Sequence, residues 1–293
     1  MTNVFQQLRT AQMPLVGRLA PTPSGYLHLG NAVNFVLTWL LVRQVSGTLH
    51  LRIDDLDRAR LRRPYLENIF RVIDWLSIDY DHGPSGPDDF LRHYSQLLYL
   101  PAYNRVLRRL AQQPGLVYAT QRSRTSAAEP VPLGTPGAAW RVQVPPTVQV
   151  AAAETPVTLA AVMPDFIIRK KDGVAAYQVA SVVDDLRLKT TLVVRGQDLQ
   201  PSTAAQLWLA SQISETQAFT EARVQFCHHS LLTDTAGHKL SKSTQASGDA
   251  GVLALGSPAA VYRAVAQVLG LPLEAGESLA TLQAAIKKGP LPR

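Results

Sequence analysis

The order of hydropathy between Leu15 and Ile53 constrains the fold most. Leu15–Ala20 (LVGRLA) is a short apolar run that ends in Pro21-Thr22-Pro23-Ser24-Gly25, so it reads as a strand entering a loop. From Leu29 to Gln44 the chain is strongly apolar, with Asn31, Asn34 and Thr38 spaced along one edge. That spacing predicts a buried helix, stopped near Ser46-Gly47. Thr48–Ile53 (TLHLRI) alternates as a second strand and delivers Asp54, Asp55 and Asp57 at its end. Strand, loop, helix and strand make a βαβ unit, the building block of a parallel sheet. The fold class expected is therefore α/β.

The rest of the chain extends this pattern with one change of texture. Tyr65–Leu76 and a longer stretch around Leu91–Leu110 carry helical spacing, separated by the loop Gly83-Pro84-Ser85-Gly86-Pro87. Residues 119–165 are rich in Ala, Pro, Thr and Ser, with a clear period only at Trp140–Val144. They read as a small inserted module or an irregular β segment. Asp165–Arg169 and Thr191–Val194 read as strands, and Pro201–Ile213 as a helix. Gly237–Ser243 is a polar, lysine-bearing loop, and two helices are expected at Pro258–Leu269 and about Glu277–Lys287.

Composition excludes several classes. Of 293 residues, 46% are hydrophobic and 17% charged, which suits a globular chain and not a disordered one. One cysteine, Cys227, excludes a disulfide framework within the chain and a multi-cysteine zinc site. The N-terminal residues lack the apolar core of a signal peptide. The longest apolar run, Ala32–Val42, is far short of the ~20 residues that span a bilayer. A soluble, cytoplasmic protein without membrane contact is expected. Lys plus Arg outnumber Asp plus Glu by 29 to 22, a net charge of +7 that suits a polyanionic partner such as nucleic acid or a nucleotide.

Two constellations carry chemistry. Pro21 to Asn31 sits where the first strand hands over to the first helix, and a helix N-terminus there suits phosphate. Gly30 allows close approach to the backbone, and His28 can donate to an anion. The simpler reading is a helix cap with a satisfied histidine. The second constellation is His238-Lys239-Leu240-Ser241-Lys242-Ser243, whose lysines and serines could wrap a polyphosphate or form a solvated loop.

Taken together the two are similar to the paired signature of class I aminoacyl-tRNA synthetases. His28-Leu29-Gly30-Asn31 resembles the HIGH motif, and Lys239-Leu240-Ser241-Lys242-Ser243 resembles KMSKS. Arg18 to Gly25 (RLAPTPSG) resembles the RFAPSPTG stretch of glutamyl- and glutaminyl-tRNA synthetases, and Arg52 to Arg58 (RIDDLDR) their RIEDTDR stretch. Ala176 to Asp185 and Val194 to Leu199 match two further blocks of that family. Only 50 residues follow Ser243, fewer than the anticodon-binding region of a full glutamyl enzyme needs. The chain thus resembles the truncated glutamyl-queuosine tRNA(Asp) synthetase family.

The resemblance implies a Rossmann-like catalytic core over residues 1–110 and 185–245. It implies an inserted acceptor-binding-like module over 111–184, a helical segment over 246–293, and no anticodon-binding domain. It also implies L-glutamate, ATP with Mg2+, and tRNA(Asp) as partners of a monomer. Arg18, Leu19, Ala20, Pro21, Thr22, Asp54, Tyr177 and Arg195 match amino-acid-binding positions. Pro21, His28, Gly30, Asn31, Lys239 and Lys242 match ATP-binding ones, with His28 and Lys242 in catalytic roles.

Two departures stand out. The family glutamate that meets the substrate's amino group is Asp54 here, a carboxylate retracted by roughly 1.5 Å. The simple reading is a tolerated exchange, the other a changed substrate. The stretch matching the family's zinc site, Tyr118 to Arg124, holds no cysteine or histidine, so no zinc is expected. Cys227 reads as a buried structural thiol. His228 and His229 point to opposite faces of a strand, which disfavours a metal pair. Asp55 and Asp57 read as loop-fixing carboxylates. Arg58, Arg60, Arg62 and Arg63, with Arg122, Arg124, Lys170 and Lys171, form candidate phosphate contacts or solvated faces. A paralogue that delivers the amino acid to another acceptor, and a non-catalytic tRNA- or nucleotide-binding paralogue, are the alternatives.

Overall fold

Strand β1 (Val16–Leu19) runs parallel to β2 (Thr48–Leu51), with Val16 opposite Thr48 and Leu19 opposite Leu51. Helix α1 (Leu29–Arg43) joins them, as the βαβ pattern predicts. The computed structural model describes residues 14–121, 129–151, 156–220, 222–231 and 251–288. They fall into two compact units, one drawn from 14–96, 190–197, 227–231 and 251–288, the other from 97–121, 129–151, 156–189, 198–220 and 222–226.

In the first unit β1 is central. The strand order is β2-β1-β8-β9, where β8 is Leu192–Gly196 and β9 is Gln225–His229. Gly17 of β1 is the parallel register partner of Leu192. Helix α1 is apolar nearly all round, and Ala32, Val33 and every residue from Phe35 to Val42 are buried; such a helix belongs inside a core. Helix α2 (Arg63–Trp75) is amphipathic, with Pro64 in its first turn and Leu66, Ile69, Val72 and Ile73 buried. Helices α6 (Ala259–Val268) and α7 (Leu279–Lys288) complete the same core through Val261, Val265, Leu282 and Ile286. The Tyr262 hydroxyl donates to the Leu76 carbonyl at 3.0 Å, fastening the C-terminal segment to the end of α2.

The helical stretch expected around Leu91–Leu110 is broken. A single turn (Pro87–Asp89), a wide π turn (Phe90–Tyr94) and a 3-10 turn (Gln96–Tyr99) precede α3 (Leu100–Ala111). Ser95 is extended at the break, with φ −54° and ψ 136°. The cause is Asp55, 1% exposed, whose carboxylate accepts the Ser95 hydroxyl at 2.7 Å and the Gln96 N–H at 2.8 Å. A buried carboxylate needs such donors, and a continuous helix would withdraw them.

The second unit joins α3, α4 (Tyr177–Arg187) and α5 (Gln200–Ala210) with a small antiparallel sheet. That sheet has the order β3-β4-β7, from Val117–Thr120, Ala139–Val142 and Ile167–Arg169. β5 (Gln149–Val150) and β6 (Val157–Thr158) form a separate antiparallel pair. Helices α3 and α5, expected in the core segments, group with this unit, and both have polar partners on α4. The Tyr103 hydroxyl donates to buried Asp184 at 2.9 and 3.0 Å, and Gln178 Nε2 donates to Ser202 at 3.2 Å. Among the described residues, no helix is long and apolar enough to cross a membrane.

Candidate active site

Side chains alternate across a strand, and in the first unit this sorts the sheet by polarity. Leu19, Leu49, Leu51, Ile53, Leu192 and Val194 belong to the hydrophobic core. The alternate positions are Arg18, His50, Arg52, Asp54 and Arg195. The register carries the alternation past the strand ends, because Arg52 N–H donates to Leu19 O and Asp54 N–H to Pro21 O, both at 2.9 Å. Arg18, Arg52 and Arg195 are each only 5% exposed. Arg18 and Arg195 stand on the same face of neighbouring parallel strands, toward their carboxyl ends. Open α/β sheets bind ligands at that end.

Leu19 itself points into the core and is fully buried, so only its backbone borders the polar face. Ala20 is half-buried, Pro21 buried and Thr22 exposed. Asp54 lies on the polar face and makes a two-point pair with Arg52, Nε to Oδ1 at 2.7 Å and Nη2 to Oδ2 at 3.1 Å. Gln96 Nε2 also donates to Asp54 Oδ1, at 3.5 Å.

His28 is the N-cap of α1. Its Nδ1 accepts the Gly30 N–H at 3.1 Å, while Asn31 Oδ1 accepts the His28 N–H at 3.0 Å. The His28 carbonyl takes the Asn31 and Ala32 N–H groups. The cap therefore occupies amides that were expected to face phosphate. With Nδ1 accepting, the neutral ring carries its proton on Nε2 as a donor. The first turn of α1 holds no acidic residue, so its positive end keeps its attraction for anions. A Cβ at Gly30 would lie 3.1 Å from His28 Cε1, so a side chain there would make the capping ring give by a few tenths of an ångström.

Three of the four basic residues after Asp57 have in-chain carboxylate partners. Arg58 reaches Asp55 at 2.7 Å, Arg60 approaches Asp57 at 3.8 Å, and Arg63 bridges Glu67 and Asp88. Arg62 donates to the Ala59 and Leu61 carbonyls. Lys170 pairs with Asp172 at 3.1 Å. These residues brace their own loops, which weakens their reading as a dedicated phosphate grip. Arg122 and Arg124 lie outside the described residues.

On β9, Cys227 is in the core, and burial pushes its thiol up to about 11, an inert structural group. His229 is buried and its Nδ1 lies 2.9 Å from the Ser230 carbonyl. His228 alternates onto the other face. Burial, then the charges of Arg195 and His229, push it down to about 4, so it is neutral near pH 7. Tyr177 opens α4 in the second unit and is 44% exposed. Lys239 and Lys242 lie outside the described residues.

Of the stretch that matches the family's zinc site, residues 118–121 are described, and 118–120 lie in a paired strand. β3 runs antiparallel to β4, with Tyr118 opposite Arg141, and Ala119 bridges Val131. The Tyr118 hydroxyl donates to Asp165 at 2.7 Å, and burial with that carboxylate raises it to about 12. Trp140 Nε1 donates to Leu133 O at 2.8 Å. Among the described residues, no group of three His, Cys, Asp or Glu side chains is placed to hold a metal ion.

Two features escaped sequence reasoning. Asn68 of α2 is 1% exposed and its Oδ1 accepts the Leu27 N–H at 2.9 Å. An asparagine beside an apolar stripe was the available signal. Gly251 has φ +57°, and a Cβ there would lie 2.5 Å from the Leu27 carbonyl. The next residue, Val252, donates its N–H to that carbonyl at 2.7 Å. No sequence motif marks it.

Comparison with known proteins agrees with this fold. The family described as tRNA synthetases class I (E and Q), catalytic domain, matches residues 14–125 and 141–290. A glutamyl-Q tRNA(Asp) synthetase of Nitratidesulfovibrio vulgaris is 36% identical, the match covering 78% of each chain. One from Symbiobacterium thermophilum is 34% identical, covering 88% of this chain and 87% of that protein. Among solved structures, a glutamate tRNA ligase from Elizabethkingia meningosepticum, in complex with its amino acid, has a TM-score of 0.69 at 19% identity. That match covers 93% of this chain and 64% of the other, and it bears on the fold alone. With a parallel sheet, a capping histidine at the first helix and relatives at this identity, the chain belongs to the glutamyl-Q tRNA(Asp) synthetase family of class I tRNA synthetases.

Proposed function

We propose that this chain activates L-glutamate with ATP and passes the glutamyl group to the queuosine base of tRNA(Asp). The observation that carries the amino-acid half is the pair of buried arginines, Arg18 and Arg195, on one face of neighbouring parallel strands. A planar guanidinium binds a carboxylate through two hydrogen bonds, and burial strengthens that attraction. Asp54 on the same face would meet the substrate ammonium. Tyr177 joins this set through the family resemblance.

ATP is the co-substrate in this reading. The acid-free N-terminus of α1 and the His28 ring fit its phosphates. Lys239 and Lys242 would add charge at the leaving pyrophosphate. A substrate carboxylate oxygen attacks the α-phosphorus, the bond to pyrophosphate breaks, and an acyl-adenylate results. The acyl group then passes to the base as AMP leaves. Adenylate formation needs positioning and charge, with no general base. Magnesium bound to the ATP would neutralise phosphate charge and is usually held mainly by the phosphates themselves.

Asp54 supports a second reading, because it is one methylene shorter than the family glutamate and is paired with Arg52. In that reading the enzyme activates a related amino acid or uses another acceptor. Pyrophosphate exchange without tRNA, across a panel including glutamate and aspartate, separates them. Exchange with glutamate, followed by transfer to queuosine-containing but not unmodified tRNA(Asp), is the expected result. Exchange with a different amino acid alone would favour the second reading. No exchange, with or without modified tRNA(Asp), would leave a binding protein.

A further inference from the structure

Helix α2 acts as a template for the loop that carries His28. Tyr65 and Asn68 stand three residues apart on one of its faces, and both reach the loop. The Tyr65 ring meets Tyr26 edge-on with centroids 5.0 Å apart. Asn68 Oδ1 accepts the Leu27 N–H at 2.9 Å in a buried setting. From the chain segment that begins at Gly251, the Val252 N–H donates to the Leu27 carbonyl at 2.7 Å. The His28 N–H is taken by Asn31. Both polar groups of the Leu27–His28 peptide are thus held, and so is the amide before it.

The same asparagine buries its Nδ2 without a hydrogen-bond partner, which is unfavourable. Against that cost stands the hydrogen bond that Oδ1 accepts from the Leu27 N–H. We propose that Asn68 is a positioning residue that orients the capping His28 for its role toward the nucleotide. It acts through the Leu27 amide and touches no substrate. The catalytic half of this inference rests on the adenylate-forming reading above; the structural half does not.

The test compares the full-length protein with Asn68→Leu, which keeps the branched outline and loses the acceptor, and with Asn68→Asp, which keeps the acceptor. Should the leucine variant not fold, Asn68→Ser replaces it, its oxygen falling about 1.2 Å short, one C=O bond. Amide hydrogen exchange is read at His28 and Gly30, which Asn68 does not contact. Pyrophosphate exchange with glutamate gives kcat and KM. The expected result for Asn68→Leu is a tenfold or larger loss of protection at both amides and a tenfold lower kcat. KM for glutamate stays within twofold, and Asn68→Asp recovers both quantities to within threefold. Unchanged protection at His28 and Gly30 in a folded leucine variant would overturn the inference. So would lost protection with an unchanged kcat. A wild-type protein that exchanges no amino acid would refute the adenylate reading, and with it the catalytic half of the proposal. The amide data would then still decide whether Asn68 sets the cap.

Discussion

The two faces of the parallel sheet are built from the same three strands and do opposite work. One face presents Leu19, Leu49, Leu51, Leu192 and Val194 to the core. The other presents Arg18, Arg52, Asp54 and Arg195, almost as deeply buried. Apolar burial stabilises the fold without needing direction. A buried charge is unfavourable unless a partner meets it. Arg52 on this face is met by Asp54, and the anion-binding role proposed above falls to Arg18 and Arg195.

The largest effect that sharpens this contrast is expected at Arg195. Arg195→Leu should lower kcat/KM for glutamate by about a thousandfold, on the order of 4 kcal/mol, the scale of a lost buried charge pair. Its melting temperature should stay within a few degrees of wild type. A variant equally damaged in stability and activity would erase the distinction between the faces. Arg195→Lys should recover little, since an ammonium lacks the planar fork.

Leu19→Ala is the mirror experiment. Urea unfolding should show a loss of about 2–5 kcal/mol, with KM for glutamate unchanged in the protein that remains folded. A marked rise in KM would mean the faces are coupled. Gly251→Ala comes next. A positive φ and a Cβ 2.5 Å from a carbonyl should cost about 1–3 kcal/mol, seen as a lower melting temperature.

Asp54→Glu should raise kcat/KM for glutamate a few-fold, on the order of 1 kcal/mol, if the shorter side chain is a weakened family contact. A fall would point to a pocket adapted to another substrate.

The smallest effect is a pH slope from His228. Its folded value lies near 4 against an ordinary 6.5. The unfolded chain therefore takes up a proton that the folded chain refuses. The stability is fully present above pH 6.5 and is lost as pH falls toward 4. His228→Gln should flatten that slope in a series of thermal melts, and an unchanged slope would assign it elsewhere. The effect is modest because a partly exposed ring is screened by solvent.

Much of this was legible in the chain. The run from Leu15 to Ile53 announced β1, α1 and β2 because local alternation and helical spacing agree with the tertiary outcome there. The break at Ser95 was not legible, since the donors it supplies serve Asp55, 40 residues away. His28 was read both as an anion contact and as a cap. The structure makes it a cap, with the Gly30 N–H donating to its ring.

The sequence by itself determined the class of fold and the family. Both rest on short-range information: alternation within a strand, spacing within a helix, and motif residues in order. Only the tertiary structure decided which side chains share a face and which residues hold the motif loop in place. Arg18 and Arg195 share a face through a strand register set across a long sequence separation. Asn68, Gly251 and Val252 reach Leu27 only after α2 and the C-terminal segment have packed. Such contacts depend on the closing of long loops, and no local pattern encodes where those loops close.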